Sequence, residues 1–348
     1  MIKILVLIAS ISVINFIPCF GQNPNLKIVY DIKTTKVKDQ GHTLTCWSFA
    51  TTSFLETEII KNGGPGIDLS EWFVVRNIYP EKIRNYIRTQ GNTYFTAGGQ
   101  CQDVLWVLKH MGVVTEESYS GPKDNDGFNS TDLDAAISLF IKSIRENPED
   151  IVKPNWEKSV DSILNEKIGV APNKIIYNNK IINPKKLANL LNLNADDYIQ
   201  LTSYTHHPFY SSFCLETRYN WAFDLYYNIP IDEMIKSIDT ALAQGYSVCL
   251  NTDITNPEFD DALKNGINSK IPYVNQELRQ LYFENGSTTI DHVMQITGLM
   301  IDRNGNKYYK TKNSWGNKYN EGYLYFSENY IREMGVSILL NKKASIFK

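Results

Sequence analysis

Apolar positions recur at helical spacing through the first two-thirds of the chain. From Thr45 to Asn62 they repeat with a period of about 3.6 residues, and Gly63-Gly64 ends the pattern. Similar patterns predict helices in five further ranges: Ser70–Arg88, Gly99–Met111, Asp132–Glu146, Trp156–Lys167 and Pro230–Gln244. The first part of the protein is therefore predicted to be mainly helical.

From His292 onward the pattern changes to the apolar runs that are typical of strands. Strands are predicted in four ranges: Tyr246–Leu250, His292–Ile301, Lys307–Lys312 and Gly322–Phe326. Asn304-Gly305, between two of these runs, is a strong signal for a β-hairpin. Helices followed by an antiparallel sheet predict an α+β fold of two packed halves, with a functional cleft between them.

The segment 1–21 differs from the rest of the chain. Lys3 precedes the apolar run Ile4–Ile14, and the small residue Gly21 follows, which is the layout of a secretory signal peptide. The run is shorter than the roughly 20 residues that a transmembrane helix needs. Cys19 follows a proline, a poor fit to lipoprotein processing, although its lipidation stays open. We expect cleavage near Gly21 and a secreted or periplasmic protein.

Composition and charge indicate a folded globular protein without a nucleic-acid partner. Hydrophobic residues make up 43% of the chain, which is enough for a large core and argues against disorder. The 35 basic and 38 acidic residues give a net charge of −3. Because the two signs are mixed along the chain, the basic patch that nucleic acid requires is missing.

The mature chain would keep four widely spaced cysteines: Cys46, Cys101, Cys214 and Cys249. They form no CxxC pair of the kind found in structural zinc sites and redox couples. If one is a working thiol, the other three allow at most one disulfide. Buried free thiols, one disulfide, and a zinc site built from the other three all stay open.

The helical half offers a candidate nucleophile. Cys46 is placed in the first turn of its predicted helix, where free N–H groups and the helix dipole lower the pKa of a thiol. Gln40, six residues earlier, lies on the loop that enters this helix. Its side-chain N–H and the backbone N–H of Cys46 could bind one developing negative oxygen as an oxyanion hole.

The sheet half offers a candidate base. His292 begins one predicted strand and Asn313 ends the next, so the hairpin can bring the two side chains face to face. An asparagine oxygen that accepts the imidazole N–H fixes the tautomer, which leaves the other ring nitrogen to take a thiol proton. Trp315, two residues further on, could cover this contact and exclude water.

This order of residues, together with Cys-Trp-Ser-Phe-Ala at 46–50 and Asn-Ser-Trp-Gly at 313–316, resembles the papain superfamily of cysteine peptidases. The resemblance implies that Cys46 is the nucleophile and that His292 is the general base and then the acid. It implies that Asn313 orients the histidine and that Gln40 donates to the oxyanion. It further implies a two-lobed papain-like fold with a helical lobe and an antiparallel β lobe. The protein would act on peptides and would need no metal or cofactor.

Three further residues are assigned to substrate binding. Gly98-Gly99, followed by a predicted helix, resembles the glycine pair whose backbone binds the substrate chain in this superfamily. Trp315 is placed beside the same site.

The separation of the candidate nucleophile and base indicates which branch of the superfamily the chain resembles. Cys46 and His292 are 246 positions apart, whereas about 130–150 residues separate these groups in papain-type enzymes. The extra residues fit the bleomycin hydrolase and aminopeptidase C branch. We expect a single peptidase domain spanning 22–348, with a largely helical insertion at about 121–228. This branch implies an aminopeptidase and a possible homo-oligomer. An endopeptidase with an open cleft and a non-catalytic peptide-binding homologue remain the alternatives.

The direction of cleavage depends on the tail. In the branch that this chain resembles, a C-terminal tail enters the cleft and restricts cleavage to the amino terminus of peptides. Here the segment 342–348 contains Lys342, Lys343 and Lys348, with only a terminal carboxylate as counter-charge. These cations would repel a protonated amino terminus, so the expectation of an aminopeptidase is only slightly favoured over an endopeptidase.

Other histidines have weaker claims. His42 is close to Cys46 in sequence, but a residue on the oxyanion loop is poorly placed to act as the base. His206-His207 looks like a metal-binding pair. Adjacent side chains on an extended segment point to opposite faces, so no metal site is predicted there.

Overall fold

The computed structural model describes residues 26–124, 127–146, 149, 155–268 and 270–347. The predicted signal peptide at 1–21 and the terminal Lys348 lie outside these residues. Among the described helices, none is both long enough and apolar enough to cross a membrane.

Ten α-helices lie within the described residues, and they are α1 Cys46–Lys61, α2 Glu71–Arg88, α3 Cys101–His110, α4 Thr131–Glu146, α5 Trp156–Ile168, α6 Pro184–Leu190, α7 Ile231–Ala243, α8 Pro257–Asn265, α9 Gln276–Glu284 and α10 Glu328–Met334. The six predicted helices correspond to α1–α5 and α7, so they are confirmed with ends shifted by two residues or fewer. The four shorter helices were not predicted, because two turns carry too few apolar positions to define a period.

Strands make up the second layer, and they are β1 Lys27–Asp31, β2 Lys123–Asp124, β3 Gly127–Phe128, β4 Ile175–Tyr177, β5 Lys180–Ile182, β6 Tyr198–Thr202, β7 Ser211–Cys214, β8 Leu225–Asn228, β9 Val248–Thr252, β10 His292–Ile301, β11 Lys307–Lys312, β12 Tyr323–Ser327 and β13 Gly335–Asn341. The main sheet has the order β12-β11-β10-β9-β13-β6-β8-β7, and β1 pairs with β10. Its pairs are antiparallel except for the parallel pair β6 and β8. The α+β class is confirmed.

Helix α1 lies in the core between the two layers, and its side chains from Cys46 to Ile59 are all buried. Polar contacts fix it against strand β10. Ser53 Oγ donates to Gln295 Oε1 at 2.7 Å, and Gln295 Nε2 donates to Thr57 Oγ1 at 2.8 Å. Because buried polar groups need partners, these bonds hold the helix in one position along the strand. The start of α1 is thereby set opposite the start of β10.

The insertion at about 121–228 contributes to both layers. Helices α4 and α5 pack with α2 on the helical side. Strands β6, β7 and β8 extend the main sheet beyond β13. The expectation of a largely helical insertion is therefore incomplete, because short strands without a long alternating pattern give a weak sequence signal.

The last strand runs away from the start of α1. In β13, Gly335 lies opposite Thr252 of β9, and Asn341 lies opposite Tyr198 of β6. Asn341 Nδ2 donates to Glu58 Oε2 at 2.6 Å. Glu58 is twelve residues beyond Cys46, or about 18 Å along the helix at 1.5 Å per residue. The described part of the tail therefore begins at the far end of α1.

Candidate active site

A cleft of about 280 Å³ lies between the helical half and the sheet. Of the seven residues singled out from the sequence, six line it: Gln40, Cys46, Gly98, Gly99, His292 and Trp315. The seventh, Asn313, is buried behind the histidine. Residues that are up to 275 positions apart in sequence are thus brought to one place by the packing of α1 against β10.

Cys46 is the first residue of α1 and is 8% exposed. Burial raises the pKa of its thiol to about 12, although hydrogen bonds from the backbone of Val293 and Trp47 act in the opposite direction. The prediction of a lowered thiol pKa is therefore wrong. The helix terminus does stabilise a thiolate, but desolvation by the surrounding core has the larger effect.

His292 begins β10 and is buried. Its Nε2 lies 2.8 Å from Asn313 Oδ1, and this oxygen also accepts the backbone N–H of Ser314 at 2.8 Å. Because Oδ1 is an acceptor, the neutral imidazole carries its proton on Nε2, and Nδ1 keeps a free lone pair. Burial lowers the pKa of His292 to about 4, against the smaller raising effect of Asn313.

Trp315 covers this pair. Its ring centroid lies 5.1 Å from that of His292, and the ring also packs edge-on against Phe259 at 5.7 Å. The tryptophan therefore lies against the histidine, and its role in excluding water stays a prediction.

Gln40 has its side-chain amide fixed by two contacts. Its Nε2 donates to Thr43 O at 2.8 Å, and its Oε1 accepts from Ser314 Oγ at 2.6 Å. The backbone N–H of Gln40 also donates to Ser314 O at 2.8 Å. Gln40 lines the cleft, and the second N–H of its amide has no partner among these contacts. The role of Ser314 was not predicted, although it lies within the Asn-Ser-Trp-Gly motif.

The two cleft glycines are required by packing. A Cβ at Gly98 would lie 2.7 Å from the ring of Tyr219, and one at Gly99 would meet Asp103 and the ring of Trp47. Lys82 is buried beneath them and donates to Gly98 O at 2.5 Å. The backbone of Gly98 and Gly99 is therefore fixed in one position beside the cleft.

Other candidates lie apart from the cleft. His42 is exposed and pairs through its backbone with Asn129, and it does not line the cleft. The four described cysteines are free thiols. Cys214 lies 3.5 Å from Asn220 Nδ2, whereas Cys249 lies beside Ala50 of α1. Cys101 and Cys249 lie within hydrogen-bonding distance of each other, but Cys214 lies apart from them. Because the three thiols do not meet, the alternative of a zinc site built from them is not supported among the described residues.

The two adjacent histidines do converge. His206 Nε2 and His207 Nε2 lie 3.1 Å and 2.7 Å from the two oxygens of Glu216, so the expectation that they point apart is wrong. Within the described residues this is the one cluster with metal-ligand geometry. However, Gln280 Nε2 donates to His206 Nδ1 at 2.9 Å, while Thr205 N donates to Gln280 Oε1. His206 therefore carries its proton on Nε2, which favours hydrogen bonding to Glu216 over metal ligation.

The fold and the cleft are those of a papain-like cysteine peptidase. Residues 172–346 match the model of the Peptidase C1-like family, and residues 28–152 match that of the Papain family cysteine protease. The chain belongs to the Peptidase C1-like family and is a cysteine-type peptidase. The 28–152 match contains Gln40, Cys46 and the Gly98-Gly99 pair, and the 172–346 match contains His292, Asn313 and Trp315.

Relatives place the chain in the bleomycin hydrolase and aminopeptidase C branch, as predicted. It is 21% identical to aminopeptidase G of Lactobacillus delbrueckii subsp. lactis and 23% identical to aminopeptidase C of Listeria innocua. Each match covers 90% of this chain and 82% of the relative. The crystal structure of PepW from Lactobacillus rhamnosis has a TM-score of 0.70 at 18% identity, covering 91% of this chain and 82% of that one.

Proposed function

We propose that the protein hydrolyses peptide bonds through Cys46, His292 and Asn313, with Gln40 as oxyanion donor, and that it acts as an aminopeptidase. The observation that carries the proposal is the 2.8 Å contact between His292 and Asn313 at the rim of a cleft that Cys46 also lines. An imidazole fixed through Nε2 presents Nδ1 as the base for a thiol.

The first half of the reaction transfers the acyl group to sulfur. Cys46 Sγ forms a bond to the carbonyl carbon of the substrate while its proton moves to His292 Nδ1. The carbonyl electron pair moves onto oxygen, where the free N–H of Gln40 and the backbone N–H of Cys46 bind it. The C–N bond then breaks, and His292 gives its proton to the leaving amine.

The second half releases the acyl group. His292 takes a proton from water, and the water oxygen attacks the thioester carbon. The C–S bond breaks and the proton returns to sulfur, so that the neutral site is restored. Burial raises the pKa of the Cys46 thiol and lowers that of His292, and both shifts favour transfer of the proton during attack.

Cleavage at the amino terminus is supported by the names of the relatives and by the charge in the cleft. Aminopeptidases G and C match along most of their length. Asp291 is the only carboxylate among the described residues that line the cleft. A protonated amine is stabilised by a carboxylate at close range, so Asp291 is the proposed partner of the substrate amino terminus.

The test compares one peptide with a free and with an acetylated amino terminus. Wild-type protein should release amino-terminal residues from the free peptide and leave the blocked one intact. Internal cleavage of both peptides would favour the endopeptidase alternative.

A thiol-directed epoxide tests the nucleophile. Labelling of Cys46 at neutral pH and its loss in His292→Ala are expected, and Cys46→Ala should be inactive. Cys214→Ala removes a partly exposed thiol outside the cleft and serves as the matched control, which should keep full activity. Activity in Cys46→Ala would overturn the whole assignment. Lack of turnover in wild type, despite labelling, would favour the peptide-binding homologue.

We also propose that the protein is secreted or periplasmic, on the basis of the layout of residues 1–21. Amino-terminal sequencing of the mature protein should begin near Gln22. An intact Met1 in protein recovered from its native compartment would contradict this.

A further inference from the structure

Residues 215–224, here called the strap, connect strands β7 and β8 and pass over to the helical half of the molecule. Both flanking strands belong to the main sheet. The strap itself is hydrogen-bonded to helices on the other side of the cleft. A segment that is anchored in both halves spans the space between them.

The contacts with the helical half are well defined. Gln100 Nε2, at the start of α3, donates to Thr217 Oγ1 at 2.9 Å. The buried Trp221 Nε1 donates to Asp103 Oδ1 at 2.9 Å, and Asn85 of α2 donates to Trp221 O. Because these polar groups are largely buried, losing the contacts would leave them unsatisfied, which holds the strap in place.

The sheet side of the strap is fixed as well. The buried Asn220 donates to Leu215 O and to Asp224 O, both at 3.0 Å, and so closes the strap on itself. His206 and His207 both bind Glu216, near its start. The histidine pair is thus explained as an anchor of the strap.

Tyr219 is the part of the strap that lines the cleft. Its ring lies against Gly98, where a Cβ would come within 2.7 Å. Arg218 lies between two tyrosines, with its guanidinium carbon 5.5 Å from the ring centroid of Tyr94 and 4.9 Å from that of Tyr219. The two tyrosine rings also meet edge-on at 6.0 Å. These contacts attach Arg218 and Tyr219 of the strap to Tyr94 on the helical half.

The position of Tyr219 identifies the end of the cleft that it closes. In the proposed reaction His292 protonates the leaving amine, so the leaving chain lies on the side covered by Trp315. The acyl chain lies on the other side, along Gly98-Gly99. Tyr219 packs on this glycine pair and therefore stands in the path of residues that precede the scissile bond.

The described part of the tail does not reach this position. Lys342 Nζ donates to Asp196 O at 2.6 Å, and the ring of Phe347 packs near Tyr210 and Tyr227 at 6.3 Å and 5.7 Å. None of these residues lines the cleft. These described tail residues therefore do not close the acyl end of the cleft.

We propose that the strap closes the acyl end of the cleft, with Tyr219 as the residue that limits how much of a peptide can precede the scissile bond. The inference rests on the proposed aminopeptidase function and names the element that enforces it. A peptide can bind when only a few residues precede its scissile bond. A longer segment before that bond is blocked by the Tyr219 ring.

The experiment uses full-length protein, the free and acetylated forms of one peptide, and mass spectrometry of the products. Tyr219→Ala should cleave the acetylated peptide at internal bonds at least about tenfold faster than wild type. The measured quantity is the ratio of internal cleavage of the acetylated peptide to amino-terminal cleavage of the free peptide, which should rise in Tyr219→Ala. Phe223→Ala removes an exposed aromatic side chain of the same strap and should behave as wild type.

The outcomes separate the two proposals. If wild type already cleaves the acetylated peptide internally, the aminopeptidase function fails and the barrier fails with it. If wild type is restricted and a folded Tyr219→Ala stays restricted, only the role of the strap is overturned. Should Tyr219→Ala not fold, Arg218→Ala replaces it, since Arg218 is an exposed residue of the strap whose guanidinium stacks on the Tyr219 ring. It should relax the restriction in the same direction, and unchanged products would overturn the proposal.

Discussion

Ser314 Oγ donates a 2.6 Å hydrogen bond to Gln40 Oε1, and this bond joins the loop before α1 to the end of β11. Ser314→Ala should lower kcat by about tenfold with little change in KM, because the amide of Gln40 loses the contact that orients it. Steady-state kinetics measure the effect. Ser143→Ala, on an exposed turn of α4, is the matched control. An unchanged kcat in Ser314→Ala would show that Thr43 alone suffices to orient Gln40.

Gln40→Ala should lower kcat by about 10²–10³, the usual cost of one oxyanion donor, while substrate binding is largely kept. The double variant Gln40→Ala/Ser314→Ala should be no slower than Gln40→Ala alone, since Ser314 is expected to act through Gln40. A double variant that is slower by the product of both effects would contradict this dependence.

Asn313→Ala should keep more activity than His292→Ala, because the asparagine only orients the base. Since the contact with Asn313 raises the pKa of His292, its removal should also lower the pH at which the histidine becomes protonated. A pH profile of kcat for the residual activity checks this. Asn313→Ala protein that is folded and as inactive as His292→Ala would rule out the division of roles.

Activity should fall in two separate steps as the pH is lowered, first through KM and then through kcat. Burial raises the pKa of Asp291 to about 6, so below this pH the carboxyl becomes neutral and KM for a free amino terminus should rise. His292 has a pKa lowered to about 4, so kcat should hold until protonation of the base near that pH. Asp291→Asn should remove the first step and leave the second. A KM that is flat through pH 6 would exclude Asp291 as the partner of the amine.

Stability should fall as the pH rises from about 4.5 to about 7 because of Glu58, and the loss should be complete above that range. Burial raises the pKa of Glu58 from 4.5 to about 7, so the folded state binds the proton more tightly than the unfolded state between these values. At about 1.4 kcal/mol per pKa unit, ionisation costs at most roughly 3 kcal/mol above pH 7. Glu58→Gln keeps an oxygen for Asn341 and should raise Tm at pH 8 but hardly at pH 5. The exposed Glu117→Gln should change neither value.

Local patterns were enough to predict the hairpin that pairs His292 with Asn313 and the helix that begins at Cys46. Both depend on periodicity and on turn residues within a short window. The pKa of Cys46 could not be predicted in this way. Its value depends on burial by β10, whose residues follow more than 240 positions later.

The position of the strap across the cleft could not be predicted from local sequence patterns for the same reason. The contact between Gly98 and Tyr219 spans 121 positions, and nothing near Tyr219 repeats or alternates. His206 and His207 were placed on opposite faces because an ideal extended segment was assumed. In the structure the segment turns between β6 and β7, so both rings reach Glu216.

The position of β13 has a consequence for how the protein is made. This strand pairs with β9 on one side and β6 on the other, and it is synthesised after both. Strands β6, β8 and β7 join the rest of the main sheet only through it. Sheets that depend on such distant pairings form slowly, because the chain must close a large loop before the contacts are gained. The sheet and the strap cannot take their final places until residues 335–341 have left the ribosome, so a nascent chain carries Cys46 for most of its synthesis without a completed cleft around it.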